Sequence, residues 1–163
     1  MIFVTVGTHE QQFNRLIRQI DKLKCDRVIT EDVIVQLGFS TYRPQYCEWY
    51  DLLSYSDMEK YFEEASLVIT HGGPATYLDA LSKGKKTIVV PRLREYKEHL
   101  NNHQLDFAEK FSRTNTPLVI VKDIRELGKC ITEMLTREIS GFNSNTDNFI
   151  RNFKKIVEDL IEI

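Results

Sequence analysis

The stretch THGGPATYLDALSKG, residues 70–84, decides how this chain is read. The apolar run Leu67-Val68-Ile69 feeds into it, two adjacent glycines and a proline follow His71, and a helical pattern leaves it. That order describes a strand, a tight turn and a helix. Gly72 and Gly73 allow positive φ and remove side chains where backbone must come close to something. Pro74 suits the first helical position, where no N–H is needed. The N–H groups of Ala75 and Thr76 then face out of the helix start with the positive end of the helix dipole behind them, an arrangement that binds anions and above all phosphate. Asp79 lies one turn beyond Ala75, and helical side chains lean toward the N-terminus. Its carboxylate is therefore a candidate acceptor for ribose hydroxyls beside the phosphates.

The same alternation runs along the whole chain. Strands are expected at Ile2–Val6, Val33–Leu37, Trp49–Leu53 (weaker), Leu67–Thr70, Lys86–Val90 and Leu118–Val121, the last opened by Pro117. Helices are expected over 11–23, 56–65, 74–83, 99–113 and from a cap at Asp123 to about 137. A polar turn cluster, 140–147, precedes a last helix over 148–162 with Phe149, Phe153, Ile156, Val157 and Leu160 on one face. Short β-branched strands between helices predict a parallel sheet covered on both faces, in a single doubly wound, Rossmann-like α/β domain spanning 1–163.

Composition narrows the function classes. The chain has 163 residues, 42% apolar and 28% charged, with a net charge of −2, which gives no reason to expect a nucleic-acid partner. Cys25, Cys47 and Cys130 are odd in number and far apart, the pattern of reduced thiols in a cytosolic protein. The opening MIFVTVGTHEQQ has no basic segment and only a short apolar run, so it reads as a first strand rather than a leader or a membrane span.

In a sheet of this kind ligands sit outside the carboxyl ends of the strands. Three βα turns stand out there: Gly7-Thr8-His9-Glu10, His71-Gly72-Gly73-Pro74, and the long turn from Pro91-Arg92 to His99 and His103. All four histidines fall on this rim. The first turn has a single glycine, not the G-x-G-x-x-G of a dinucleotide site, and no Walker A pattern occurs. His99 and His103 have the i, i+4 spacing of a helical zinc pair. No glutamate follows His99 and no third ligand is evident, so hydrogen bonding to phosphate or sugar suits them better than metal.

Taken together, VTVGTHEQQFNRLI, HGGPAT and PRLREYKEHLNNHQ resemble the donor-binding half of inverting GT-B glycosyltransferases, the glycosyltransferase family 28 C-terminal domain. The resemblance runs from Met1 to about residue 125. It is nearest to the small catalytic subunits of two-component enzymes, such as bacterial capsule and exopolysaccharide β-1,4-galactosyltransferases and the soluble subunit of the dolichol-pathway UDP-GlcNAc transferase. It implies a UDP-sugar as donor substrate, with no cofactor and no metal. His71, Gly72, Gly73, Ala75 and Thr76 would line the diphosphate, with Gly7 and Thr8 facing it. Ser54 and Tyr55 fall in the base-binding loop, and His103 and Gln104 in the segment that reads donor hydroxyls. Asp79 stands where many relatives carry a ribose-binding glutamate, and Ala75 where some have a third glycine. His9 or Glu10 would touch the acceptor side, where an inverting transfer needs a general base. A chain with room for one of the two GT-B domains implies a separate, membrane-associated acceptor-binding subunit and a lipid-linked saccharide acceptor. The protein would then be cytoplasmic and recruited to the inner membrane face, with helix 148–162 as a docking element. The same residues also fit a non-catalytic UDP-sugar-binding regulator, or a transferase of glucose or N-acetylglucosamine.

Overall fold

The computed structural model describes residues 1–112 and 118–137, so Pro117, the turn cluster 140–147 and the helix expected over 148–162 lie outside the described residues. The strands are β1 (Ile2–Thr5), β2 (Val33–Gln36), β3 (Glu48–Tyr50), β4 (Leu67–Thr70), β5 (Lys86–Val89) and β6 (Leu118–Ile120). They form one sheet in the order β3-β2-β1-β4-β5-β6, and every pairing is parallel. The helices are α1 (Asn14–Cys25), α2 (Tyr55–Glu64), α3 (Pro74–Ser82), α4 (His103–Ser112) and α5 (Leu127–Thr136). This is the doubly wound α/β fold expected from the alternation.

Side chains alternate across the sheet and sort the helices into two layers. Ile2, Val4, Leu67, Ile69 and Ile88 pack with Leu16, Ile17 and Ile20 of α1 and Ile131 of α5. Phe3 and Val68, one residue out of phase, pack with Phe62 of α2 and Ala80 of α3. Val89 and Leu118 meet Tyr77 and Leu81 of α3 and Ala108 of α4 on that second face. β1 and β4 are buried along their whole length, which is why they read as continuous apolar runs.

Two helices start later than their periodicity indicates, for the same physical reason: side chains claim the main-chain groups that a further helical turn needs. The carbonyls of Gln11 and Gln12 accept from Arg92 Nη1 at 2.8 and 3.1 Å, and the Phe13 N–H donates to Ser40 Oγ at 2.9 Å. That holds the chain off the helix until Asn14. Before α4, His99 Nδ1 accepts from the Asn101 N–H at 3.3 Å and Asn101 Oδ1 accepts from the His103 N–H at 3.2 Å. His99 and His103 therefore do not share a helix, and the helical pair suggested by their spacing is not formed.

A buried carboxylate ties the first helix to the loop that leads into β3. Asp21, 3% exposed, accepts from Tyr42 Oη at 2.6 Å, the Gln45 N–H at 3.0 Å and the Tyr46 N–H at 2.8 Å. Replacing it by alanine removes an ionised acceptor shared by three donors. Asp21→Ala is expected to lower unfolding free energy by about 3 kcal/mol, read from the midpoint and slope of a urea titration; a loss below about 1 kcal/mol would contradict this role.

Candidate active site

The strand order reverses between β1 and β4: the chain moves outward through β2 and β3, then returns to build β4, β5 and β6 on the other side. The loops after β1 and β4 diverge at that point and leave a crevice at the carboxyl edge, where doubly wound folds bind ligands. A cleft of about 240 Å³ opens there. Gly7 and Thr8 line it from the first loop, His71 and Thr76 from the fourth, and Tyr55 and Met58 from α2, over a floor that includes Thr5 and Gln36. A larger open groove of about 590 Å³ lies at the β6 edge. Three of its charged side chains are already engaged, Asp123 with Arg125 and Lys122 with Glu109.

His71 is the centre of the cleft. Its N–H donates to the Thr5 carbonyl at 3.2 Å, continuing the β1–β4 ladder, and its ring lies between the main chains of two glycines. A Cβ on Gly7 would sit 2.5 Å from His71 Cε1, and one on Gly73 would sit 2.3 Å from Nε2. Gly7 also has φ +71, a conformation that side chains disfavour. Gly72 and Gly73 do not take positive φ, contrary to one of the two reasons their pairing suggests. They are there for space. Gly72 faces Gln104 of α4, whose Cβ lies 2.6 Å from where a glycine Cβ would be. Glycine at 73 makes room for an imidazole, and glycine at 72 for a helix.

Burial and the nearby Arg92 guanidinium push the His71 imidazole down to about 4, so the ring is neutral at physiological pH. Nδ1 lies 3.3 Å from Thr70 Oγ1. At the start of α3, Gly73 is the N-cap and Pro74 the first helical residue. The Thr76 N–H turns back onto the Gly73 carbonyl at 3.2 Å, so it is not free as its position in the turn implied. Among the described residues the N–H groups of Gly73 and Ala75 have no partner and remain for an anion.

The other candidates are dispersed. Ser54 caps α2, its Oγ accepting from the Asp57 N–H at 3.1 Å, while its neighbour Tyr55 is 81% exposed beside the cleft. The Asp79 carboxylate is paired with Lys83 at 2.7 Å, and Lys83 also reaches Glu59 of α2 at 3.2 Å. That pairing binds α2 to α3, and Asp79 is not part of the cleft wall. Gln104 Oε1 accepts from the Arg92 N–H at 3.2 Å. His103 and Glu10 are exposed, and His9 is half-buried. Among the described residues no group of three or more histidine, cysteine, aspartate or glutamate side chains is placed to hold a metal ion. No helix among them is long and apolar enough to cross a membrane.

One residue of the rim escaped the sequence reading. Arg92 is wholly buried and spends its guanidinium on main-chain carbonyls: Val6 at 2.9 Å, Gln11 at 2.8 Å, Gln12 at 3.1 Å and Glu98 at 3.2 Å. Phe13 stacks on it, 4.8 Å from ring centroid to Cζ. The buried Glu98 carboxylate accepts from Arg15 Nε at 2.9 Å and Nη2 at 2.8 Å and from the Leu93 N–H at 3.2 Å. Arginine after a strand is an exposed residue by default. The nearest sequence signal was the glutamate six residues on in the same loop.

A glycine-bordered cleft at the switch point of a parallel sheet, in a Rossmann-like domain, is the architecture of one half of a GT-B protein. The glycosyltransferase family 28 C-terminal domain matches residues 1–160, and the chain belongs to that family. Similar proteins include the UDP-N-acetylglucosamine transferase subunit ALG13 of Homo sapiens, 32% identical over 69% of this chain and 10% of that protein. Another is a zeaxanthin glucosyltransferase of Pseudescherichia vulneris, 34% identical over 55% of this chain and 22% of that protein. The chain thus spans a small part of the curated relatives it matches. Among solved structures, the glycotransferase of kitacinnamycin aligns with TM-score 0.63 at 15% identity, over 83% of this chain and 35% of that one. The glycosyltransferase SnogD from Streptomyces nogalater aligns with TM-score 0.54 at 18% identity, over 83% and 34%.

The depressed His71 pKa has a consequence for stability. Between about 4 and the unperturbed value of 6.5, the unfolded chain holds a proton at His71 that the folded chain does not. Stability must therefore rise with pH through that window, and be lost as pH falls through it. The contribution is up to about 3 kcal/mol. It should appear as a slope in urea titrations of the native sequence between those pH values, and His71→Asn should flatten it; an unchanged slope would mean that His71 is not held neutral.

Proposed function

We propose that the chain is the donor-binding, catalytic subunit of an inverting glycosyltransferase that moves a hexose from a UDP-sugar to a lipid-linked saccharide. The observation that carries this reading is the cleft at the β1–β4 switch point, with the His71 ring between Gly7 and Gly73 beside the unpaired N–H groups of Gly73 and Ala75. In the transfer, the bond between the anomeric carbon and the diphosphate oxygen breaks while an acceptor hydroxyl bonds that carbon from the opposite face. Negative charge grows on the leaving diphosphate. The start of α3 and a neutral His71 donor stabilise it, with no metal and no cofactor taking part.

The proton of the acceptor hydroxyl needs a base. His9 Nδ1 accepts from the Gln11 N–H at 3.2 Å, so its neutral ring carries its proton on Nε2 and acts as a donor. That leaves Glu10, exposed on the first loop, or a group on the acceptor-binding partner. The partner is a separate membrane-associated subunit, and this chain works on the cytoplasmic face of the membrane beside it. In support, a relative is itself named a transferase subunit. For the sugar, the likeness of the three motifs to capsule and exopolysaccharide enzymes favours galactose in β-1,4 linkage. A second reading, N-acetylglucosamine, is favoured by the activity named for the ALG13 relatives.

The expected result is UDP binding by the isolated chain in calorimetry, and sugar transfer only after the partner is supplied on co-expressed membranes. A panel of UDP-sugars on those membranes then reads the donor. Gly73→Val would push a branched side chain into the imidazole, so the thermal midpoint should fall and the UDP affinity of the still-folded variant should drop at least about tenfold. Absence of UDP binding together with a silent Gly73→Val would sink the proposal, and binding without transfer by the partnered complex would favour a regulatory subunit.

A further inference from the structure

Next to His71, on the α1 side and outside the cleft wall, two more imidazoles meet. His9 from the loop after β1 and His99 from the loop after β5 have ring centroids 4.9 Å apart with planes at 40°. Both are half-buried. Each Nδ1 accepts the main-chain N–H two residues on, from Gln11 at 3.2 Å and from Asn101 at 3.3 Å. A nitrogen that accepts carries no proton, so both neutral rings hold theirs on Nε2, the far edge from the loop that anchors them. The pair therefore offers two pre-oriented donors and no acceptor.

The surrounding charges are mostly positive. Arg92 lies close to both His9 and His71, and His99 stands against His9. Glu10 is the acidic group that faces His9. The other nearby carboxylate, Glu98, is turned inward and committed to Arg15. Burial, Arg92 and His99 together push the His9 pKa down. His9 lies in the field of a buried guanidinium, and an oxyanion at the Nε2 edges of the two rings offsets that positive charge. Among the described residues no group of three or more histidine, cysteine, aspartate or glutamate side chains could hold a metal ion here, and two N–H donors suit an oxyanion.

We propose that His9 and His99 form a second phosphoryl-oxyanion subsite beside the donor cleft, holding a phosphate group through their two Nε2–H donors. The proposal rests on the reading of the neighbouring cleft as a nucleoside-diphosphate site. The phosphate has two chemical sources: the diphosphate of the donor as it leaves, or a phosphate ester on the acceptor. In either case the bound anion raises the affinity of the His9 imidazole for a proton. Binding must then tighten as pH falls, by at most about tenfold per pH unit for each proton taken up.

The test is calorimetry on the full chain and on a His9→Phe/His99→Phe double variant, which keeps two stacked rings and removes both donors. A His9→Gln/His99→Gln variant, with neutral donors, serves as a second probe if the first melts early. UDP is titrated first, then inorganic pyrophosphate into UDP-saturated protein, each near pH 6 and near pH 8. If the donor diphosphate is the source, UDP binds the native chain more tightly at the lower pH, and the Phe variant loses at least about tenfold in affinity together with that pH dependence. If the acceptor is the source, pyrophosphate binds the UDP-saturated native chain and not the Phe variant, while UDP affinity is unchanged. Equal binding of both probes by native and variant protein overturns the subsite and leaves the donor reading standing. Loss of UDP binding by the native chain itself overturns the donor reading, and pyrophosphate binding then tests the pair alone.

Discussion

A guanidinium with no access to water must find its acceptors inside the protein, and Arg92 finds them on the main chain. It draws the carbonyls of Val6, Gln11 and Gln12 from the loop after β1, and that of Glu98 from its own loop, onto one cation. Loop carbonyls at a sheet edge would otherwise be left to solvent, and a buried cation would be costly. Each requirement satisfies the other, with Arg92 Nε the one guanidinium nitrogen left without a partner among the described residues. The first loop is thereby held off the helix until Asn14 and kept in the path that presents Gly7 to His71. Glu98 and Arg15 extend the same network to the first turn of α1.

The cleft inherits its shape from that network. His71 can occupy the switch point only because Gly7 and Gly73 both lack side chains, and it stays neutral because it is buried and Arg92 is near. Packing and chemistry are thus one constraint here: the glycines that would let a ligand approach are already used to let an imidazole approach. A neutral histidine beside a helix start can donate to an anion without carrying a charge that must be desolvated first. The same Arg92 field reaches His9, so two imidazoles on one rim, His9 and His71, sense one cation.

The fold could be read from the chain because each element announces itself locally. β-branched runs, helical periodicity and the glycine–proline turn at 72–74 are short-range signals. They place six strands and five of the helices close to where they form. The family was legible too, through three motifs in order, and the match over residues 1–160 agrees with it. Where boundaries moved, at Asn14 and His103, side chains had captured main-chain groups, an effect invisible to periodicity.

The site was legible only in part. Gly7, Thr8, Tyr55, His71 and Thr76 do converge on one cleft. Asp79, Ser54 and Gln104 turn instead to Lys83, a helix cap and Arg92, because each found a partner that spacing along the chain does not reveal. By itself the sequence determined the alternation of strands and helices and the turns that face the carboxyl edge, since those follow from neighbours within a few residues. Only the tertiary structure decided that Arg92 is a buried cation, that Gly72 and Gly73 serve space rather than conformation, and that His9 meets His99. Those facts depend on loops far apart in sequence closing over one point, where burial and charge, not local propensity, choose the partners.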